Sequence, residues 1–130
     1  MIVVDASVLA NALGDDEEDG RNSRIALRDA GEFAAPDLID VETVAVLRKR
    51  WLTRTMSDER FEAAVDDLQR LDFERVPTLR LMRRAYELRA NVSSYDATYV
   101  ALAEALDCEL LTADRRLARA AGPRCAIRVL

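Results

Sequence analysis

The sequence contains no histidine. This absence excludes imidazole as a general base, as the partner of a nucleophilic serine or cysteine, and as a metal ligand. Lys49 is the only lysine, so amine-based covalent catalysis is nearly excluded as well. What remains is oxygen chemistry: 24 aspartates and glutamates outnumber 19 lysines and arginines, and the formal net charge is −5. Reactive chemistry in this chain therefore depends on carboxylates and on the cation they bind.

Long apolar runs are also missing. No stretch approaches the roughly 18 to 20 uninterrupted apolar residues of a membrane span, and the start, Met1 to Asp5, reaches an acid instead of a signal-peptide core. We therefore expect a cytoplasmic protein without membrane association. Cys108 and Cys125 are more often reduced core thiols than a disulfide in such a chain, and they receive no function. With 130 residues, 50% of them hydrophobic, we expect one domain over residues 1–130.

Short apolar segments alternate with helical patterns along the chain. The run Ile2-Val3-Val4 stops at Asp5, which is typical of a strand buried on both faces. We predict further strands at 33–35, 73–76, 109–112 and 126–130. We predict helices at 6–13, 23–30, 37–52, 58–71, 78–90, 94–106 and 115–121, the fourth and sixth of them capped by serines. The alternation favours an α/β fold with a mostly parallel sheet and helices on both faces.

Two of these segments carry more specific expectations. The stretch from Gly14 to Gly20 holds an acidic run and is predicted to be a mobile loop, followed by a helix that Asn22 or Ser23 caps and Gly31 ends. In the stretch 37–52, apolar residues recur at helical spacing, which predicts a helix. These residues are Leu38, Val41, Ala45 and Leu52, with Val44 and Trp51 beside them.

Four acids occupy positions where this fold would bring them together. Asp5 follows the first strand, Asp114 follows the strand at 109–112, and Asp96 lies in the first turn of the helix before that strand. Glu42 lies just beyond the first turn of its helix, among apolar neighbours. In parallel sheets the ligand crevice lies beyond the carboxyl ends of the strands. Acids gathered there repel one another unless a hard divalent ion such as Mg²⁺ or Mn²⁺ lies between them, so metal-dependent attack on phosphate is the leading interpretation.

Each acid also has a structural explanation. Ser93-x-x-Asp96 fits a capping box, in which the acid bonds the backbone N–H of the cap residue. Asp5 and Asp114 fit turn positions, and Glu42 fits the solvated face of a helix. The four acids together favour a site more strongly than any one of them does.

Four segments, in chain order, resemble the successive motifs of PIN-domain ribonucleases. They are Asp5-Ala-Ser-Val-Leu9, Pro36-Asp-Leu38 with Glu42 four residues on, Tyr95-Asp-Ala-Thr-Tyr-Val-Ala-Leu-Ala103, and Leu110-Leu-Thr-Ala-Asp114-Arg-Arg-Leu117. The strongest likeness is to the VapC toxins of bacterial toxin-antitoxin pairs, and it covers essentially the whole chain. The resemblance implies a PIN-like three-layer α/β/α sandwich with a mostly parallel central sheet of about five strands.

The resemblance also implies a site and partners. Asp5, Glu42, Asp96 and Asp114 would be the catalytic acids, with metal held by the three aspartates, and two hydroxyls would support them: those of Ser7 and Thr112. It implies Mg²⁺, with Mn²⁺ as an alternative, an RNA substrate, a homodimer and a small VapB-like antitoxin. Some relatives carry a further acid after the fourth, whereas this chain has arginines there, so a one-metal and a substrate-completed two-metal arrangement both fit.

The negative net charge argues against a nucleic-acid enzyme, but basic residues cluster locally. Arg115 and Arg116, adjacent to Asp114, are candidate RNA phosphate contacts, and a solvated helix start is the equal alternative. A non-catalytic PIN-like module that binds RNA or a partner is the second candidate function. A response-regulator receiver, a third one, fits poorly because Lys49 is misplaced for its chemistry.

Overall fold

The computed structural model describes all residues, Met1–Leu130, and its centre is one five-stranded sheet. Every neighbouring pair of strands is parallel, in the order β3-β2-β1-β4-β5. The strands are β1 (Ile2–Val4), β2 (Phe33–Pro36), β3 (Glu74–Val76), β4 (Leu110–Thr112) and β5 (Ile127–Val129). The central strands β1, β2 and β4 are buried along their whole length, as predicted for the apolar run of β1 and as is typical of inner parallel strands covered on both faces. The predicted α/β fold with a parallel sheet of about five strands is therefore confirmed.

Seven α-helices connect the strands. They are α1 (Ala6–Gly14), α2 (Glu18–Ala30), α3 (Ile39–Leu52), α4 (Asp58–Arg70), α5 (Met82–Glu87), α6 (Ser94–Ala105) and α7 (Arg115–Arg119), and a 3-10 turn, Leu79–Leu81, precedes α5. Helix α1 packs against α2, α3 and α4, whereas α6 packs against α5 and the central strands. None of the helices combines the length and apolar character needed to span a lipid bilayer.

The order of the strands explains why the helices form two groups, and it locates the crevice in which a ligand would bind. The chain moves outward from β1 through β2 to β3, then crosses back over β1 to β4 and continues to β5. Because such crossovers are right-handed, reversing direction moves the later helices to the opposite face of the sheet. The reversal also makes the carboxyl end of β1 a topological switch point, where α/β folds bind ligands. Asp5 follows β1 at this point.

Several predicted helix ends are confirmed. Ser57 caps α4 by accepting a hydrogen bond from the backbone N–H of Arg60, 3.1 Å away. Ser93 caps α6 in the same way, and Gly31, at φ 72°, ends α2. These caps act within one turn of helix, so local sequence is sufficient to define them.

The start of α2 corrects one prediction. The helix begins at Glu18 and not at Asn22 or Ser23, which leaves only residues 15–17 as the loop. Arg24 holds this loop by donating to the carbonyl oxygens of Ala12 and Asp15, at 3.0 and 2.8 Å. A side chain at position 20 would meet the same Asp15 oxygen, so only glycine allows this close approach. Acids in the first turn of α2 also favour its dipole, which extends the helix into the acidic run.

The helix predicted at 37–52 is observed as α3, but its apolar spacing does not decide which face is buried. Val41 is 74% exposed and Leu52 is exposed as well, whereas the buried positions are Ile39, Thr43 and Leu47. The helix packs toward α1 and α4 through this second row, which shares the same helical spacing. Both rows satisfy the sequence pattern, and the surrounding helices decide which one is covered.

The predicted helix at 78–90 is also shorter than expected. The chain first forms the 3-10 turn, in which the backbone N–H of Leu81 bonds the carbonyl oxygen of Thr78 at 2.9 Å. Helix α5 then ends at Glu87, and turns connect it to α6. Buried Leu81 and Leu88 fasten the two ends of this segment to the core, which limits the length of regular helix between them.

Candidate active site

Asp5 lies at the carboxyl end of β1 and is 7% exposed. Its backbone N–H bonds the carbonyl oxygen of Leu111, so the neighbouring strand β4 fixes its main chain. Its carboxylate oxygen Oδ2 accepts two hydrogen bonds, from the hydroxyl of Thr112 at 2.6 Å and from that of Ser7 at 3.0 Å. The other oxygen, Oδ1, has no hydrogen-bond partner in the chain. One side of this carboxylate is thus fixed, and the other remains free for a ligand.

The two hydroxyls are themselves held in place. Ser7 Oγ accepts a bond from the backbone N–H of Ala113, and Thr112 Oγ1 accepts one from the backbone N–H of Asp114, both at 3.0 Å. Each hydroxyl therefore accepts a hydrogen bond from the turn after β4 and donates its own hydrogen to Asp5. Ser7 and Thr112 therefore both lie beside Asp5, and their supporting role in a site stays a prediction.

Glu42 reaches the site from the first turn of α3. Its oxygen Oε1 accepts a hydrogen bond from the hydroxyl of Tyr99, 2.9 Å away. Burial raises the pKa of Glu42, and the negative charges of Asp5 and Asp96 raise it further, against the lowering effect of the tyrosine bond. Glu42 is therefore neither a solvated helix acid nor an isolated one.

Asp96 lies in the first turn of α6. Ser93 Oγ accepts a bond from the backbone N–H of Asp96 at 3.2 Å, but the reciprocal bond from the N–H of Ser93 to the carboxylate does not form. Burial raises the pKa of Asp96, and the charges of Asp5 and Asp114 add to the effect. Only half of the capping box is present, and the side-chain hydrogen bond with Ser93, which lowers the pKa of Asp96, does not offset burial and the neighbouring charges.

Asp114 differs from the other three acids. It is the N-cap of α7 and accepts the backbone N–H of Arg116 at 2.8 Å, and its carboxylate also pairs with the guanidinium of Arg116 at 3.4 Å. Burial acts to raise the pKa of Asp114, but these hydrogen bonds and the positive charge outweigh it and hold the pKa below its usual value. Asp114 therefore has a structural role as the cap of α7, at the turn position that its sequence fits.

The structure brings the four acids to one edge of the sheet but does not pack them into a closed cluster. Electrostatic repulsion acts among three of the acids, Asp5, Glu42 and Asp96. None of the three forms a salt bridge with any cation of the chain. In the present side-chain conformations no three acidic groups are close enough to share one ion. The assignment of these acids to a catalytic and metal site thus stays a prediction.

The two arginines after Asp114 lie on the surface beside the acids. The side chain of Arg116 is 92% exposed although it pairs with Asp114, and Arg115 is exposed without a partner. Both are accessible to an anion approaching the acids, and both also fit a solvated helix start.

Tyr99 is the functional candidate that the sequence patterns did not single out. It is fully buried, lies in α6 three residues after Asp96, and therefore occupies the same face of the helix. That spacing was the available signal. Its partner Glu42 is 57 residues away in the chain, so no local pattern pairs the two residues.

Comparisons with known proteins agree with this architecture. The family model described as "PIN domain" matches residues 2–123, and the chain therefore belongs to the PIN-domain family. It is similar to ribonuclease VapC9 of Mycobacterium tuberculosis, with 39% identity over all of this chain and 98% of the relative. It is also similar to ribonuclease VapC1 of the same species, with 42% identity over 98% of this chain and 96% of the relative. The resemblance to VapC ribonucleases is thus confirmed.

A solved structure supports the fold independently of close sequence similarity. The VapBC2 crystal structure from Rickettsia felis, bound to a DNA fragment from its promoter, covers 100% of this chain and 99% of its own. The TM-score is 0.67 at 17% sequence identity. At this level the likeness shows a shared PIN-like three-layer fold.

Proposed function

We propose that this chain is a metal-dependent endoribonuclease and the toxin of a VapBC-type toxin-antitoxin pair. Its membership of the family, with full-length similarity to VapC ribonucleases, supports RNA as the substrate. The observation that carries the proposal is the carboxylate of Asp5, which is buried, fixed at Oδ2 by two hydroxyls, and within electrostatic reach of Glu42 and Asp96.

The character of these groups fits a hard divalent ion. Three carboxylates are buried or half-buried and have no salt-bridge partner: those of Asp5, Glu42 and Asp96. They leave negative charge uncompensated at the edge of the sheet. Oxygen donors of this kind suit Mg²⁺ or Mn²⁺. We propose that Asp5, Asp96 and Asp114 hold the ion, directly or through water, once their side chains turn toward one another and Asp114 leaves its contact with Arg116. An ion bound there would supply the Lewis acidity that activates water and polarises the scissile phosphate.

The residues of the chain have separate roles in this proposal. Ser7 and Thr112 hold Asp5 so that its Oδ1 faces no competing donor of the chain. Glu42 orients the attacking water, which displaces the 3′-oxygen of the scissile bond and leaves a 5′-phosphate and a 3′-hydroxyl. Arg115 or Arg116 contacts a neighbouring phosphate of the RNA, where an exposed guanidinium matches the oxygens of the anion.

Cleavage of RNA by the isolated protein tests the enzyme directly. The protein, freed of any partner, is incubated with total bacterial RNA in millimolar Mg²⁺ or Mn²⁺, and in parallel with EDTA. We expect cleavage with the ions and none with EDTA, and products with 5′-phosphate ends. Cleavage that persists in EDTA, or 2′,3′-cyclic phosphate products, would contradict the mechanism. Metal-independent RNA binding without any cleavage would favour the non-catalytic binding module.

Expression in bacteria tests the toxin assignment. We expect this chain alone to arrest growth in the cytoplasm, and a small co-expressed VapB-like antitoxin to relieve the arrest. A guanidinium bonds two carboxylate oxygens at once, so the partner should place an arginine in the acidic site. Replacing that arginine by alanine should weaken inhibition. Unchanged inhibition by a variant that still binds would refute occupation of the site as the mode of control.

Exposed apolar residues support the proposed homodimer. Val41 and Leu79 are 74% and 85% exposed and follow the neighbouring parallel strands β2 and β3, so both lie at the carboxyl edge of the sheet. Large apolar side chains exposed at one edge of the sheet suit an interface. We expect the parent to sediment as a dimer and Leu79→Glu to sediment as a monomer with unchanged circular dichroism. A monomeric parent at all concentrations tested would contradict the homodimer.

A further inference from the structure

The hydroxyl of Tyr99 links the two groups of helices directly at the acidic site. It is carried by α6, its residue is 0% exposed, and it donates to Glu42 Oε1 on α3 at 2.9 Å. A tyrosine hydroxyl surrounded by protein requires a polar partner, because an unmade hydrogen bond costs free energy there. Here the partner is a carboxylate of the proposed site.

The surroundings keep this hydroxyl protonated and therefore a donor. Burial raises the pKa of Tyr99 far above its usual value, and the negative charges of Glu42 and Asp5 act in the same direction. The backbone N–H of Ala6, the first residue of α1, also lies near the hydroxyl oxygen. The hydroxyl is thus enclosed between Glu42 and the chain immediately after Asp5.

Glu42 has no other fixed contact. Its carboxylate forms no salt bridge, and the bond from Tyr99 is the only side-chain hydrogen bond it accepts. A glutamate has three side-chain torsions, so without this bond the half-buried carboxylate is free to rotate away from the site. The bond occupies Oε1 and leaves Oε2 without a partner in the chain. This repeats the arrangement at Asp5, in which one oxygen is held and the other is free.

We propose that Tyr99 is a positioning residue, whose hydroxyl fixes Glu42 so that the free oxygen of this carboxylate faces the reacting water. The inference rests on the proposed ribonuclease function and extends it to a residue that contacts neither substrate nor ion. Tyr99 acts through Glu42, so its loss should lower turnover without weakening the binding of RNA.

The first experiment compares Tyr99→Phe with Tyr95→Phe. Both substitutions remove one hydroxyl from α6, one helical turn apart, but the hydroxyl of Tyr95 is on an exposed residue and makes no hydrogen bond. We expect Tyr99→Phe to lower kcat about 10- to 100-fold, since hydrogen bonds to charged groups have this order of effect. KM, and the Kd of a fluorescent RNA measured in EDTA, should change less than about twofold. Tyr95→Phe should retain the parental kcat.

The second experiment tests whether Tyr99 acts through Glu42. In Glu42→Asp the side chain is one methylene shorter and cannot hold the same contact, so kcat should fall in this variant as well. Adding Tyr99→Phe to Glu42→Asp should then lower single-turnover cleavage by less than about threefold. Losses that multiply would show that the two residues act independently, and would overturn the proposal.

The remaining outcomes separate the inference from the function on which it rests. A parent that cleaves RNA, with Tyr99→Phe cleaving equally fast, overturns the positioning role and leaves the ribonuclease intact. A Tyr99→Phe variant with a raised KM and an unchanged kcat overturns it too, because that pattern marks a contact with substrate. A parent that cleaves no RNA removes both. In that case urea unfolding of the same four proteins still reports whether Tyr99 and Glu42 are coupled.

Discussion

Thr112 Oγ1 donates to Asp5 Oδ2 across 2.6 Å, which joins two residues that are 107 positions apart in the chain. Val4 and Leu111 are register partners in the parallel strands β1 and β4, so Asp5 and Thr112 form the next pair beyond the ladder. Side chains of such a pair leave the sheet side by side. The alignment of two strands therefore produces the contact that orients Asp5, the buried acid of the candidate site.

Thr112→Val tests this contact. Valine keeps the shape of the fully buried side chain, but it removes a donor from Asp5 and an acceptor from the backbone N–H of Asp114. We expect a loss of about 1 to 3 kcal/mol in the free energy of unfolding, measured in urea, and slower RNA cleavage. Parental stability together with parental cleavage would show that the hydroxyl does not hold Asp5.

Thr43→Val is the matched control with the opposite sign. Thr43 is also fully buried, but its hydroxyl has no hydrogen-bond partner. Replacing an unsatisfied hydroxyl by a methyl group should increase the free energy of unfolding by up to about 1 kcal/mol. Urea unfolding under the same conditions measures the change. Destabilisation similar to that of Thr112→Val would mean that both valines act through packing alone.

Asp96→Asn tests the repulsion among the acids in the metal-free protein. Burial and the charge of Asp5 raise the pKa of Asp96 above its ordinary 3.8, so the ionised form destabilises the fold. In EDTA at pH 7 the variant should exceed the parent by about 1 kcal/mol in the free energy of unfolding. The difference should shrink as pH falls through the raised pKa and vanish below 3.8. A purely capping role predicts a loss of about 0.5 to 1 kcal/mol instead, with cleavage spared.

Added Mg²⁺ should make the parent more stable than Asp96→Asn, the reverse of their order in EDTA. An ion that binds only the folded state stabilises it by mass action. We expect millimolar Mg²⁺ to raise the Tm of the parent more than that of Asp96→Asn, and Asp96→Asn to cleave no RNA. Equal shifts in both proteins, with cleavage intact in the variant, would remove Asp96 from the metal site.

Glu104 should contribute to stability with the opposite pH dependence from Asp96, and Glu104→Gln tests this. Glu104 accepts two bonds from Arg84, at 2.7 and 3.1 Å, and one from the backbone N–H of Arg124. Burial acts to raise the pKa of Glu104, but these bonds lower it below its ordinary 4.5. The carboxylate therefore stabilises the fold above pH 4.5, and this stabilisation is lost as pH falls through the lowered pKa.

We expect the free energy of unfolding of Glu104→Gln to be about 1 to 3 kcal/mol lower than that of the parent at pH 7. This difference should narrow below pH 4.5. Urea unfolding between pH 3 and 7 measures both. The residue lies at the far end of α6 from Asp96, so cleavage by the folded variant should be close to parental. A difference from the parent that does not vary with pH would show that Glu104 contributes by packing only.

The sequence by itself determined the order of the elements and the positions of the acids. The buried run of β1 ends at Asp5, Ser57 and Ser93 cap their helices, and Gly31 ends α2, because each of these features depends on residues within one turn or one strand. The placement of the acids at one edge followed from the alternation of strands and helices, since parallel strands direct their carboxyl ends the same way.

Only the tertiary structure decided which surfaces are covered and which side chains meet. Two rows of α3 carry the helical spacing, and packing against α1 and α4 covers the one with Thr43 while it leaves Val41 exposed. The bond between Tyr99 and Glu42 requires α3 and α6 to meet at the same edge of the sheet. The physical reason is that hydrogen bonds between distant residues and the choice of a buried face depend on neighbours that local sequence does not specify.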